Sequence, residues 1–209
     1  MWSSIPLKVR YCIDCLLVLI YLFQSYLNPV SMATSKYRTT QYTSEEFVES
    51  SGAILFDLSN ETQRVCLIHY NVKNEWLLAK GRRNCGESRL EAALREVEEE
   101  TGYKCHAHPV TMSTRAPRKT EADNVPDQAR SYPGLSEPFM LTIRELNKEG
   151  AKLIWWYIAA IDGDLSGSTP SADCDFRAEF FTYDEALQRL TFQEDRDILA
   201  RAITLVRGS

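Results

Sequence analysis

Apolar positions recur along this chain with two different periods. Residues 52–57, Gly-Ala-Ile-Leu-Phe-Asp, predict a strand, and Arg64 to Tyr70 a neighbour, with Ser59, Asn60 and Glu61 marking the turn between them. Glu75 to Ala79 is a third short apolar run. Residues 87–101 switch to helical spacing: Leu90, Ala93, Leu94 and Val97 follow the i, i+3, i+4, i+7 rule and form one stripe that must face a sheet. Lys104 to Met112 and Leu153 to Ile161 read as further strands, the second rich in aromatic and β-branched residues, and Glu179 to Phe181 as another. Asp184 to Leu190 and Gln193 to Val206 return to helical spacing. Ser113 to Pro138 is a long polar stretch with four prolines, which predicts a functional loop. No repeat or low-complexity tract is present. The mixture predicts an α/β fold with a mixed sheet between helices.

The first 33 residues differ from the rest. Lys8 and Arg10 precede an apolar run from Tyr11 to Phe23, broken by Asp14, and Ser31-Met32-Ala33 follows. That order is a signal-peptide pattern, and the run is short for a membrane span. A start at Met32, followed by an ordinary polar N-terminus, accounts for the same residues, and a membrane anchor is a third account. The expected division is 1–33 as a signal-like or dispensable extension, 34–50 as a polar lead-in, and 51–206 as the domain. The chain is cytoplasmic if translation starts at Met32 and secreted if residues 1–33 are a signal. No later segment predicts a membrane span.

Composition narrows the class. In 209 residues, 44% hydrophobic and 25% charged side chains describe a globular protein rather than a disordered one. The net charge of -5 argues against a nucleic-acid polymer as partner, since a phosphate backbone demands a basic surface. It leaves room for a small phosphorylated ligand in a local basic pocket. Six cysteines are scattered and do not form a disulfide framework; Cys12 and Cys15 have C-x-x-C spacing but lie in the N-terminal apolar run with no second pair nearby.

The chemistry concentrates between Gly81 and Tyr103. At ~100° per residue, Glu96, Glu99 and Glu100 share a flank of the helix, with small Ala92 beside them and Glu98 on the other side. Like charges so placed destabilise a helix. A divalent cation would resolve the conflict, Mg²⁺ or Mn²⁺ being suited to hard oxygen ligands. On the helix alone, a solvated acidic face is the plainer reading. The approach changes that. Gly81 and Gly86 bracket a tight loop, while Lys80, Arg82 and Arg83 place positive charge beside the carboxylates, the pairing that phosphoryl chemistry needs. Gly102 stands where a left-handed helix cap is expected.

This segment resembles the Nudix box, Gly-x5-Glu-x7-Arg-Glu-U-x-Glu-Glu-x-Gly-U with U apolar. Gly81, Glu87, Arg95, Glu96, Val97, Glu99, Glu100, Gly102 and Tyr103 occupy its fixed positions, Tyr103 being aromatic where an aliphatic residue is commoner. The likeness runs from Ser51 to about Val206, and the Lys80-Gly81-Arg82-Arg83 approach is most similar to fungal members. The resemblance implies a Nudix-type α/β/α sandwich with a mixed β-sheet. It implies Glu96, Glu100 and the Gly81 carbonyl as metal ligands, and Glu99 as a further ligand or the catalytic base. Glu87 and Arg95 would brace the loop. The reaction it implies is metal-dependent cleavage of a diphosphate linkage.

The flanking chemistry is what family members vary. Lys80, Arg82 and Arg83, joined by Arg115 and Arg118 of the long stretch, are the candidate substrate contacts, with Lys119 and Arg130 nearby. So many cations suit a highly phosphorylated small molecule, of the diadenosine polyphosphate or diphosphoinositol polyphosphate class. A nucleoside diphosphate derivative (an oxidised nucleotide, ADP-ribose or a nucleotide sugar) is the enzymatic alternative, and a non-catalytic binding module the other. Trp155 and Trp156 face opposite ways on a strand, one into the core and the other available to stack on a base. His69, His106 and His108 are too dispersed for a metal site. Oligomeric state is not legible.

Overall fold

In the computed structural model, residues 35–59, 62–122, 124–147, 150–163 and 175–209 are described. The expectations for residues 1–33, including Cys12 and Cys15, and for Asn60, Glu61 and Cys174, lie outside them. The chain divides into two compact units, Met1–Gln41 and Tyr42–Ser209. Residues 35–41 of the first are exposed, with local contacts such as Lys36 Nζ at 5.3 Å over the Tyr37 ring.

In the second unit the strands are β1 (Phe47–Asp57), β2 (Arg64–Tyr70), β3 (Glu75–Leu77), β4 (Lys80–Arg82), β5 (Cys105–Ala107), β6 (Val110–Thr114), β7 (Arg130–Leu135), β8 (Met140–Glu145), β9 (Ala151–Ile161) and β10 (Phe176–Thr182). The helices are α1 (Arg89–Thr101), α2 (Tyr183–Arg189) and α3 (Gln193–Arg207). Among the described residues, eight strands make one sheet along the path β10-β2-β1-β9-β5, with β3 on β2, β4 on β1 and β8 on β9. β1 and β9 run parallel and the other pairs antiparallel, so the sheet is mixed. β6 and β7 form a separate antiparallel pair.

Helices cover both faces, which is why β1 and β9 are apolar on both sides. One face presents Ile54, Phe56, Ile154, Trp156 and Ile158 to Ile198, Leu199, Ala202 and Ile203 of α3. The other presents Ala53, Leu55, Tyr157 and Ala159 to Ala93 and Val97 of α1, with Leu90 and Leu94 at the margin. The result is an α/β/α sandwich. No helix among the described residues is long and apolar enough to cross a membrane.

Several boundaries differ from the sequence reading. β1 starts at Phe47 rather than Gly52, because its parallel partnership with β9 begins at Phe47 and Ala151 and buries polar Ser50 and Ser51. Lys104 to Met112 is two strands in two sheets, divided at His108-Pro109. The long polar stretch contains β7, and β8 was not anticipated.

Candidate active site

The site is organised by the start of α1. Ser88 caps the helix: its hydroxyl accepts from the Glu91 amide at 3.2 Å, and its own amide donates to the Glu91 carboxylate at 2.8 Å. At the other end Gly102, with φ 75°, adopts the left-handed conformation that glycine tolerates and donates its N–H to Glu98. Between these caps the apolar stripe locks the rotation of α1 against β1 and β9, and the acidic flank turns to β4.

Two carboxylates of that flank meet β4 directly. Glu96 packs on Gly81, where a Cβ would collide with its carboxylate, so a side chain there would displace Glu96. Glu100 Oε2 accepts the Lys80 amide at 2.9 Å. Glu99, whose side chain is 57% exposed against 13% for Glu96, stands at the open edge. Burial holds the Glu96 carboxyl above its usual range; the charges of Glu99 and Glu87 add to this and Arg95 opposes it.

Arg95 ties the flank to the loop. Its Nη1 donates to Glu96 at 2.8 Å and to Glu99 at 2.7 Å. Nε and Nη2 grip both oxygens of Glu87, at 2.7 and 3.1 Å, and Nη2 also reaches the Arg82 carbonyl at 3.0 Å. Glu87 in turn accepts the Asn84 amide. The Arg95 guanidinium, first among its partners, lowers the Glu87 pKa.

Of the expected substrate contacts, Lys80 and Arg82 stand on the strand whose backbone meets Glu96 and Glu100, with their side chains on the sheet face opposite to Glu96 and not committed to an ion pair among the described residues. Arg83 is turned away to Glu49, at 3.0 Å, and to the carbonyls of Asn84 and Glu87. The reason is that Glu49 is a largely buried β1 carboxylate that must be neutralised, and it takes Arg83, Arg89 and the Trp155 indole N–H. Arg115 is paired with Asp127 at 2.7 Å, Arg118 lies 4.4 Å over the Tyr132 ring, and Arg130 faces Glu121 at 3.9 Å, so these three are engaged within the segment from Arg115 to Tyr132. Trp156 is core, its indole donating to Thr142, while Trp155 carries the Arg89 guanidinium at 4.1 Å. The histidines do not converge: His69 bonds Asn71 and Asn74, and His106 bonds Asp162. Sequence reasoning missed Glu49, Arg89, Arg144 and Lys152. The last two are marked only by basic residues alternating with Thr142, Ile154 and Trp156.

No three acidic, histidine or cysteine side chains among the described residues are already drawn together as a metal-binding group; Arg95 stands between Glu96 and Glu99. The donor chemistry nonetheless fits Mg²⁺ or Mn²⁺. Hard carboxylate oxygens share one flank, and Gly81, having no side chain of its own, lets the Glu96 carboxylate come up against its backbone.

Residues 49–202 match the NUDIX domain. An 8-oxo-(d)GTP phosphatase of Mycolicibacterium smegmatis is 27% identical over 176 residues, covering 79% of this chain and 44% of that protein. The chain thus spans less than half the length of that relative. Among solved structures, the Ap4A hydrolase of C. elegans aligns with a TM-score of 0.52 at 14% identity, covering 77% of this chain and 98% of that one. A Nudix hydrolase from M. smegmatis aligns at 0.50 and 13%, covering 77% and 86%. At such identities the likeness to these structures concerns the fold.

Proposed function

The chain belongs to the NUDIX domain family, and from that premise we propose that it is a Nudix hydrolase cutting a diphosphate linkage in a small phosphorylated molecule. The observation that carries the proposal is the delivery of Glu96 and Glu100 from one helix flank to the backbone at Lys80 and Gly81. Glu96, Glu100 and the Gly81 carbonyl would hold Mg²⁺ or Mn²⁺. A divalent ion there would polarise the diphosphate and acidify an attacking water. Glu99, at the open edge, would take the proton from that water or serve as a further ligand. When Glu96 and Glu99 are drawn to other work, Arg95 keeps its bonds to Glu87 and to the Arg82 carbonyl, so the loop stays braced. Glu100→Gln should lower kcat by about 10²-fold or more at limiting metal. A folded variant with near-normal turnover would remove the assignment.

For the substrate we propose the diadenosine polyphosphate or diphosphoinositol polyphosphate class. Lys80 and Arg82 supply cations on the strand whose backbone meets Glu96 and Glu100, as a long anionic chain would use. A second reading, a nucleoside diphosphate derivative such as an oxidised nucleotide, is favoured by the phosphatase activity in the name of the 27%-identical relative. kcat/KM for a diadenosine polyphosphate, a diphosphoinositol polyphosphate, 8-oxo-dGTP and ADP-ribose, each with Mg²⁺ and with Mn²⁺, separates the two. If 8-oxo-dGTP or ADP-ribose is turned over best, the second reading replaces the first. If no substrate yields a metal-dependent product, a binding module replaces both.

A further inference from the structure

The face of the sheet turned toward α3 carries an unexplained set of costs beside the carboxylates. Side chains alternate along a strand. Ile154 and Trp156 of β9 and Ile54 of β1 lie in the α3 core, so Lys152 and Ser50 share that face. The register sets Arg82 opposite Ser50, Lys80 opposite Gly52, and Arg144 opposite Lys152. Arg82 therefore lies directly across from the buried serine, Lys80 and Lys152 lie diagonal to it, and Arg144 stands one strand further out beside Lys152. Arg144 and Lys152 are like charges directly opposed across an antiparallel pair, an arrangement that destabilises a sheet. None of the four makes an ion pair with a described residue. The Ser50 hydroxyl is fully buried with no hydrogen-bond partner, a further cost.

The electrostatics agree with this geometry. The Lys152 pKa is lowered, first by burial and then by the charges of Lys80, Arg144 and Arg82, with Glu96 opposing. The carboxylate facing Lys80 and Arg144 from α3 is Asp195; its pKa is raised, first by burial and also by the charge of Glu194, while the charges of Lys80 and Arg144 oppose the rise. Like charges, a half-buried ammonium and an orphan hydroxyl gathered in one place are groups that an anion would engage.

We infer that the α3-facing surface of the sheet is an oligophosphate-binding site, formed by Arg82, Lys152 and Arg144 with Lys80 at its rim and the Ser50 hydroxyl beneath. Arg82 and Lys152 stand on strands that flank β1, two inter-strand spacings or about 10 Å apart. That span exceeds a single phosphate and suits a chain of them. The site adjoins the proposed reaction centre through β4, whose Lys80 amide binds Glu100. The inference deepens the polyphosphate reading given above and rests on it, naming the residues that hold the phosphates not being cut.

The test is calorimetric titration of the full chain with inorganic tripolyphosphate and orthophosphate, divalent ions being chelated so that no turnover intervenes. The original chain should prefer tripolyphosphate, and Lys152→Met and Arg144→Ala should each weaken it about tenfold, the value of one charge-assisted contact. Lys104→Met, an exposed cation elsewhere, should not weaken it. Without ligand, Lys152→Met should melt no lower than the original chain, since it relieves repulsion; Arg144→Ala, at an exposed position, gives an independent check. Equal affinity in all variants, equal loss on Lys104→Met, or no preference for tripolyphosphate would each overturn the inference. Glu100→Gln separates this from the hydrolase proposal: it should abolish turnover yet keep tripolyphosphate binding. If turnover needs Glu100 while Lys152→Met and Arg144→Ala bind normally, the surface fails and the hydrolase stands.

Discussion

Arg95 resolves within the protein a conflict that the sequence reading assigned to a metal. Its Nη1 stands between Glu96 and Glu99 while the rest of the guanidinium grips Glu87. Arg95→Ala strands a largely buried Glu87 and leaves two carboxylates facing each other. Discounted for partial exposure, the loss is about 1–2 kcal/mol, or a Tm lower by roughly 2–8 °C. An unchanged Tm with a purely catalytic defect would contradict a bracing role. A second single residue sets an acid limit. Burial pushes the Asp57 carboxyl up, but hydrogen bonds from Ser59 and the Arg64 guanidinium outweigh it and hold the pKa below its usual value. A depressed folded pKa adds stability above the unfolded pKa of about 3.9, and that stability is lost as pH falls through the folded value. Asp57→Asn should therefore melt lower than the original chain at neutral pH, with the gap closing below about pH 4. A constant gap down to pH 2 would show that ionisation is irrelevant.

At the scale of elements, β1 and the box loop are clamped together by Glu49. Arg83 joins that carboxylate to the Asn84 and Glu87 carbonyls, and Arg89 joins it to the first turn of α1. Glu49→Gln and Arg83→Ala should each lower Tm and raise KM by loosening the loop. Together they should cost less than the sum, with coupling of about 1 kcal/mol. Strict additivity in the double variant would deny the clamp. The helix of this unit was legible because stripe, acidic flank and terminal glycine all agree along one continuous segment. The clamp was not, because Glu49 precedes the apolar run that marked β1 and meets its partners only after folding. β8 escaped for another reason: its apolar Leu141 and Ile143 are exposed, while Thr142 and Arg144 share the face of Trp156, inverting the usual pattern. The pairing of Arg83 was hidden in the same way, since nothing near it in sequence announces a buried carboxylate on another strand.

For the whole molecule, Tyr42–Ser209 is a compact unit by itself, and β1 begins at Phe47. A chain shortened to start at Met32 should remain soluble, with unchanged Tm and kcat/KM. Aggregation or lost turnover would place residues 1–31 within the working protein. The layered class was legible from the two hydrophobic periods, but the strand order was not, because periodicity records burial and not which strand lies beside which. The parallel seam between β1 and β9 has a kinetic consequence. Phe47 must wait for Ala151, so the middle of the sheet closes only after the whole stretch between them has been made. Such distant pairing is slow, on the order of milliseconds to seconds, and until it forms β1 offers an open hydrogen-bonding edge to other nascent copies. Refolding from denaturant should therefore lose yield as protein concentration rises, and stopped-flow fluorescence of Trp155 and Trp156 should report closure of the seam as the slow step.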